Sequence, residues 1–202
     1  MKPERAAFDA SGLPSVTFGP KGPLWWGTVG FIVIEGYTIV LTIAAFFYLR
    51  LNETRWPPSP YAPPDVLIPG ITAVLLLLLI IPMIGVKKAA HRFDRMGVAK
   101  GMLITAVMTV PVVVLHWFNL QALNVAYDTH AYGSAVWGVV VLHVVLVAFD
   151  LVETLVMGVM FLIGHAKKKH FSDASEAALY QFFLSLSWLP IYLIIYWGPR
   201  VL

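Results

Sequence analysis

The 202-residue chain contains no cysteine, and only 12% of its residues are charged. Without thiols it can form no disulfide, hold no metal through thiolate and use no cysteine nucleophile, and its redox compartment is left unmarked. Also missing are Gly-x-Ser-x-Gly, a phosphate-binding loop and a dinucleotide fingerprint, and the serines and acids follow no nucleophile pattern. An autonomous enzyme is therefore not expected. There is no internal repeat or inverted symmetry of the kind transporters show. The net charge of +3 does not point to nucleic acid, because the basic residues lie between apolar runs and form no stripe with aromatics.

What the chain does have is apolar length. Hydrophobic residues make up 59% of it, which places it among multispanning membrane proteins. Residues 1–24 mix charges with Pro3, Pro14, Pro20 and Pro23 and lack the apolar core of a signal peptide, so an N-terminal cytoplasmic tail is expected rather than a cleaved leader. Residues 25–202 read as one all-α polytopic domain, a bundle of five transmembrane helices over roughly 25–49, 66–86, 102–123, 135–163 and 178–198. Each run is long enough to cross a hydrocarbon core of about 30 Å. Lysine and arginine number eleven in the tail and the 87–100 and 164–177 connections, against three in the 50–65 and 124–134 connections and the C-terminal end. That bias predicts a cytoplasmic N-terminus and an external C-terminus in a bacterial-type inner membrane. The run Trp56-Pro57-Pro58-Ser59-Pro60, with Pro63 and Pro64, predicts a stiff connector, and Pro82, Pro111 and Pro190 predict kinks within spans.

Glu35 is the one acidic or basic residue between Trp25 and Leu49. A charge at a bilayer centre costs roughly 2.5–3.5 kcal/mol on insertion scales, so such a group faces protein or water and marks a functional site. Thr28, Glu35 and Thr42 recur every seven residues and Thr38 adds a hydroxyl near the same face, which points Glu35 into the bundle. In the outer half of the third span His116, Asn119 and Gln121 stand at a depth similar to His143 of the fourth. A metal pair is conceivable, yet neither Glu-x-x-His nor His-x-x-x-His occurs, so interhelical hydrogen bonding is expected instead and no metal site is assigned. His143, Asp150 and Glu153 fall near one helical stripe, suited to a proton path or a buried polar seam. Lys87, Lys88 and Arg92, and Lys167, Lys168 and Lys169, flank spans where they determine topology and attract anionic lipid headgroups. On these residues alone a small stand-alone proton channel or transporter using Glu35, Asp150 and Glu153 stays open.

The order of motifs resembles subunit III of the haem-copper cytochrome c oxidases. The residues that carry the resemblance are Trp26-Gly27, then Phe31-Ile32-Val33-Ile34-Glu35 ending in Phe46-Phe47-Tyr48, then Trp56-Pro57-Pro58, Leu120-Gln121-Ala122 and Tyr132-Gly133-Ser134. Glu176-Ala177-Ala178, Tyr180, Phe183, Trp188, Leu189, Tyr192, Tyr196, Trp197 and Gly198 continue it. The chain departs from the family pattern where a His-Gly-x-His is reduced to His143, where Asn124-Val125 replaces Glu-Tyr, and where Phe182 and Ser185 replace a histidine and an aspartate. Asp150 and Glu153 have no counterpart, and two N-terminal helices of the full-length family form are missing, so the resemblance is to a divergent five-helix version. It implies an accessory, non-catalytic subunit of a respiratory terminal oxidase in aerobic electron transport, or of a related redox complex such as a nitric oxide reductase. By the same resemblance the chain holds no haem or copper of its own, packs on the catalytic subunit I, binds phospholipid in a helical cleft and supports proton uptake. Glu35, with Thr28, Thr38 and Thr42 as polar neighbours, would then be a lipid-cleft or proton-responsive group.

Overall fold

A computed structural model describes residues 16–201. Five long helices form the bundle: α1 (Pro23–Leu51), α2 (Leu67–His91), α3 (Arg95–Gln121), α4 (Ala131–Leu162) and α5 (His170–Ile191). A π-helical turn (Tyr192–Trp197) and a 3-10 turn (Gly198–Arg200) extend α5. All five are long and apolar enough to cross a membrane. Of the expected tail, residues 1–15 lie outside the described residues. The rest of it forms a short turn beneath the bundle, where Phe18 stacks on His91 with ring centroids 4.3 Å apart.

The connections are short, so successive helices run antiparallel. The starts of α1, α3 and α5 and the ends of α2 and α4 therefore share one end of the bundle, and Lys87, Lys88, Arg92, Lys167, Lys168 and Lys169 gather there. All are exposed except Lys87, which is half-buried. The proline-rich connector closes the opposite end. It packs on the α3–α4 loop through the Asp65 amide, which donates to the Ala122 carbonyl at 2.7 Å, and through Asn124 Nδ2, which donates to the Pro63 carbonyl at 3.1 Å.

Two helices begin seven or eight residues earlier than hydropathy predicts. α3 starts at Arg95, because the Asp94 carboxylate accepts the Gly97 amide at 3.0 Å, a cap that contributes about 1 kcal/mol. α5 starts at His170, and its first two turns bury Phe171, Ser172, Ala174, Ser175, Glu176, Ala177 and Ala178. Apart from Phe171, these small and polar residues carry little apolar signal, yet they let α5 approach α2 closely enough for Ser175 Oγ to sit 3.4 Å from His91 Nε2. Pro82, Pro111 and Pro190 lie inside helices as expected. Since Pro190 has no amide hydrogen, the regular ladder is interrupted there, and the π turn begins two residues later.

The core falls into two apolar clusters. One, at the basic end, holds Met83, Val86, Met102, Phe161 and Phe171. The larger one, at the opposite end, joins residues of all five helices, Phe46, Leu76, Val112, Tyr132 and Trp188 among them. α1 is the least embedded helix, burying only Glu35, Ile39 and Phe46 against α4 and α5.

Candidate functional site

Glu35 sits near the middle of α1, 7% exposed. Its Oε2 accepts a hydrogen bond of 2.7 Å from the Tyr180 hydroxyl of α5. Thr28 and Phe31, seven and four residues earlier, share its side of α1 and form one wall of a cleft of about 590 Å³. α4 supplies Glu153 and Met157 to the other walls, and α5 supplies His170, Asp173, Glu176 and Tyr180. The cleft runs from the basic end towards the Glu35–Tyr180 pair; among the described residues its lining carries three carboxylates and neither lysine nor arginine. Thr38 and Thr42 take no part: their hydroxyls donate back to the Ile34 and Thr38 carbonyls, each at 2.9 Å, a local bond open to any helical threonine. Tyr180 supplies the polar contact that the threonines were expected to give. Nothing in the periodicity of α1 marks a partner 145 residues away.

His116, Asn119 and His143 form an interhelical network, with Gln121 left exposed at the end of α3. His143 Nε2 lies 3.0 Å from the Leu184 carbonyl, His143 Nδ1 lies 3.2 Å from His116 Nε2, and His116 Nδ1 lies 3.0 Å from Asn119 Nδ2. A carbonyl can only accept, so His143 donates through Nε2. Its Nδ1 then accepts from His116 Nε2, and His116 Nδ1 accepts from the Asn119 amide. One arrangement of protons on two neutral imidazoles satisfies the whole chain. Asn119 passes it on to Thr72 of α2 at 3.1 Å, and Tyr196 donates to the Asn119 carbonyl at 2.9 Å. Trp188 covers both histidine rings and donates to the Pro69 carbonyl at 3.1 Å. All of these side chains except Leu184 and Pro69, which join by their backbone carbonyls, are polar or aromatic groups buried in the bundle. The network therefore ties α2, α3, α4 and α5 together.

The stripe expected to unite His143, Asp150 and Glu153 divides. His143 and Asp150 face the core, 0% and 2% exposed, while Glu153 turns outward into the cleft. The physical reason is angular, because a heptad returns to nearly the same face whereas a three-residue step falls about 60° short of a turn. Of the basic residues, Lys87 lies within electrostatic reach of Glu176 on the cleft wall.

Fold and site together define a multi-pass α-helical membrane protein with a carboxylate-bearing cleft between α1, α4 and α5. No protein-family model matches the chain. It is 23% identical to the cytochrome c oxidase subunit 3 of a Synechocystis species over 174 residues, covering 85% of this chain and 74% of that protein. It is 25% identical to the Anopheles gambiae subunit over 90% of this chain and 71% of that protein, and 24% identical to the Drosophila yakuba subunit over 91% and 71%. Distant homology to cytochrome c oxidase subunit 3 thus spans nearly the whole of this chain.

Proposed function

We propose that the chain is a non-catalytic accessory subunit of a haem-copper terminal oxidase, packed on the catalytic subunit, which carries the haem and copper. The observation that carries the reading is homology spanning 85–91% of the chain to subunits of one name from a cyanobacterium and from insects. In this role the cleft between α1, α4 and α5 holds phospholipid, with apolar walls for acyl chains and Lys87, Lys88, Arg92, Lys167, Lys168 and Lys169 at the same end for headgroups. The Glu35–Tyr180 pair closes the deep end of the cleft as a protonatable group beside lipid and partner, and Glu153 lines the approach to it. The basic end faces the cytoplasm by the positive-inside rule, which directs the cleft towards the side from which the oxidase takes its protons.

Deleting the chain tests this role. The oxidase that remains is expected to keep its haem and copper and its initial turnover, with slowed proton uptake and altered bound lipid. Loss of turnover in direct proportion to the loss of this chain, with haem and copper retained, would instead make it catalytic.

A further inference from the structure

Among the described residues, three buried side-chain oxygens in the middle of the bundle have no hydrogen-bond partner: Asp150 Oδ2, Thr154 Oγ1 and Gln181 Oε1. Their residues are 2%, 1% and 0% exposed. Two ring contacts fix how α4 and α5 face one another. His143 meets Trp188 and Phe161 meets Phe171, both with centroids 5.0 Å apart. The helices are antiparallel, so two turns inward from His143 and from Trp188 lead to Asp150 and Gln181, on the faces that bear the ring contact. The phenylalanine pair gives the same register from the other side. α3 joins in the same way, since His116 Nε2 lies 3.2 Å from His143 Nδ1 and Leu103 packs against Gly158. Thr109 therefore shares the layer of Asp150, and Thr105 that of Thr154. Long side chains lean towards the N-terminus of their own helix, which carries the Gln181 amide into the space between Asp150 and Thr154.

Two of the hydroxyls in these layers have already committed their hydrogens. Thr105 and Thr109 donate to the Gly101 and Thr105 carbonyls at 2.9 and 2.8 Å, which leaves their lone pairs free. Gln181 gives Nε2 to Ser185 Oγ at 3.3 Å, leaving Oε1 bare. Among the described residues Asp150 makes no ion pair. The neighbouring titratable side chains, Glu153, Tyr180 and, beyond Tyr180, Glu35, bring no cation. A carboxylate enclosed without a counter-ion is costly in a membrane interior. Oxygen donors alone do not suit copper or zinc, and a single negative charge with four or five ligands falls short of the six or more that manganese, magnesium and calcium take.

We propose that Asp150, Gln181 and Thr154, completed by Thr109, bind a sodium ion in the core of the bundle. The carboxylate supplies the charge, and the amide and hydroxyl oxygens complete the shell. A proton on Asp150 donated to Gln181 Oε1 is the competing arrangement, and it would leave Thr154 bare.

The full chain, purified with the subunits that co-extract with it and exchanged into choline chloride, is titrated with ²²Na⁺. Saturable binding is expected, displaced poorly by potassium, with half-saturation raised about tenfold or more in Asp150→Asn and in the near-isosteric Thr154→Val. Thr154→Val decides the matter alone if Asp150→Asn fails to fold. Absence of saturable binding, or affinity unchanged in the folded variants, overturns the proposal and leaves the proton on Asp150.

Discussion

Removing one oxygen atom tests the Glu35–Tyr180 contact. Tyr180→Phe keeps the ring that lies 5.8 Å from Phe31 and 6.1 Å from Phe183, and deletes only the hydroxyl that donates to Glu35 at 2.7 Å. Glu35 is 7% exposed, so little solvent can replace the lost donor. A bond to a carboxylate in such a place is worth about 1.5–3 kcal/mol, and the group left behind keeps its desolvation penalty. For a chain of this size about 2 kcal/mol lowers the melting temperature by roughly 4–8 °C. Thermal unfolding in detergent micelles, followed by tryptophan fluorescence, reads that shift. Glu35→Leu in the Tyr180→Phe background should restore part of the loss, because two apolar partners leave nothing unpaired, and the cycle should give a coupling of about 1–2 kcal/mol. A Tyr180→Phe protein melting within about 1 °C of wild type, or penalties that simply add, would refute the reasoning.

Other parts of the bundle give sharper contrasts. A Cβ at Gly133 would collide with the Ala126 carbonyl oxygen, whereas one at Gly138 meets nothing within 4 Å. Gly133→Ala should therefore cost about 2 kcal/mol or more, while Gly138→Ala should be neutral or slightly stabilising, as melting of the two proteins side by side would reveal. His143→Leu strands His116 Nε2 and the Leu184 carbonyl in a fully buried layer. Its expected cost of about 3 kcal/mol exceeds that of Gln121→Leu at the exposed end of α3, and equal melting temperatures would contradict the network. Because the chain has no cysteine, single cysteines report its orientation. Asp128→Cys should label with an impermeant maleimide from outside intact cells and His165→Cys only after lysis, and the reverse pattern would overturn the assigned topology.

Apolar length made the five helices legible, because a membrane span is mainly a length requirement and α1, α2 and α4 consist of little else. The starts of α3 and α5 escaped that signal. Arg95 to Lys100 and His170 to Ala177 are helical because of a cap and of small-residue packing, neither of which raises hydropathy. The lone acid Glu35 was conspicuous because charge is costly in hydrocarbon. Its partner Tyr180 was not, since tyrosine is ordinary in a membrane helix and the pairing depends on how α1 meets α5. The histidines could be matched by depth, and His116 and His143 do meet. The face that separates Asp150 from Glu153 was harder to read, because a three-residue step on one helix falls between two neighbours. The π turn after Pro190 left no distinct trace, as the proline alone predicts only an interruption.

The proposed role requires this chain to act within a larger redox assembly. Its most direct test is to purify the chain under mild detergent from its native membrane, identify what accompanies it by mass spectrometry, and record the optical spectrum of the same sample. A subunit bearing haem and copper, recovered in about equal amount and absent when the bait is absent, is the predicted result. A chain that purifies alone, without haem absorption, and conducts protons in proteoliposomes in a manner lost in Glu35→Gln would contradict it.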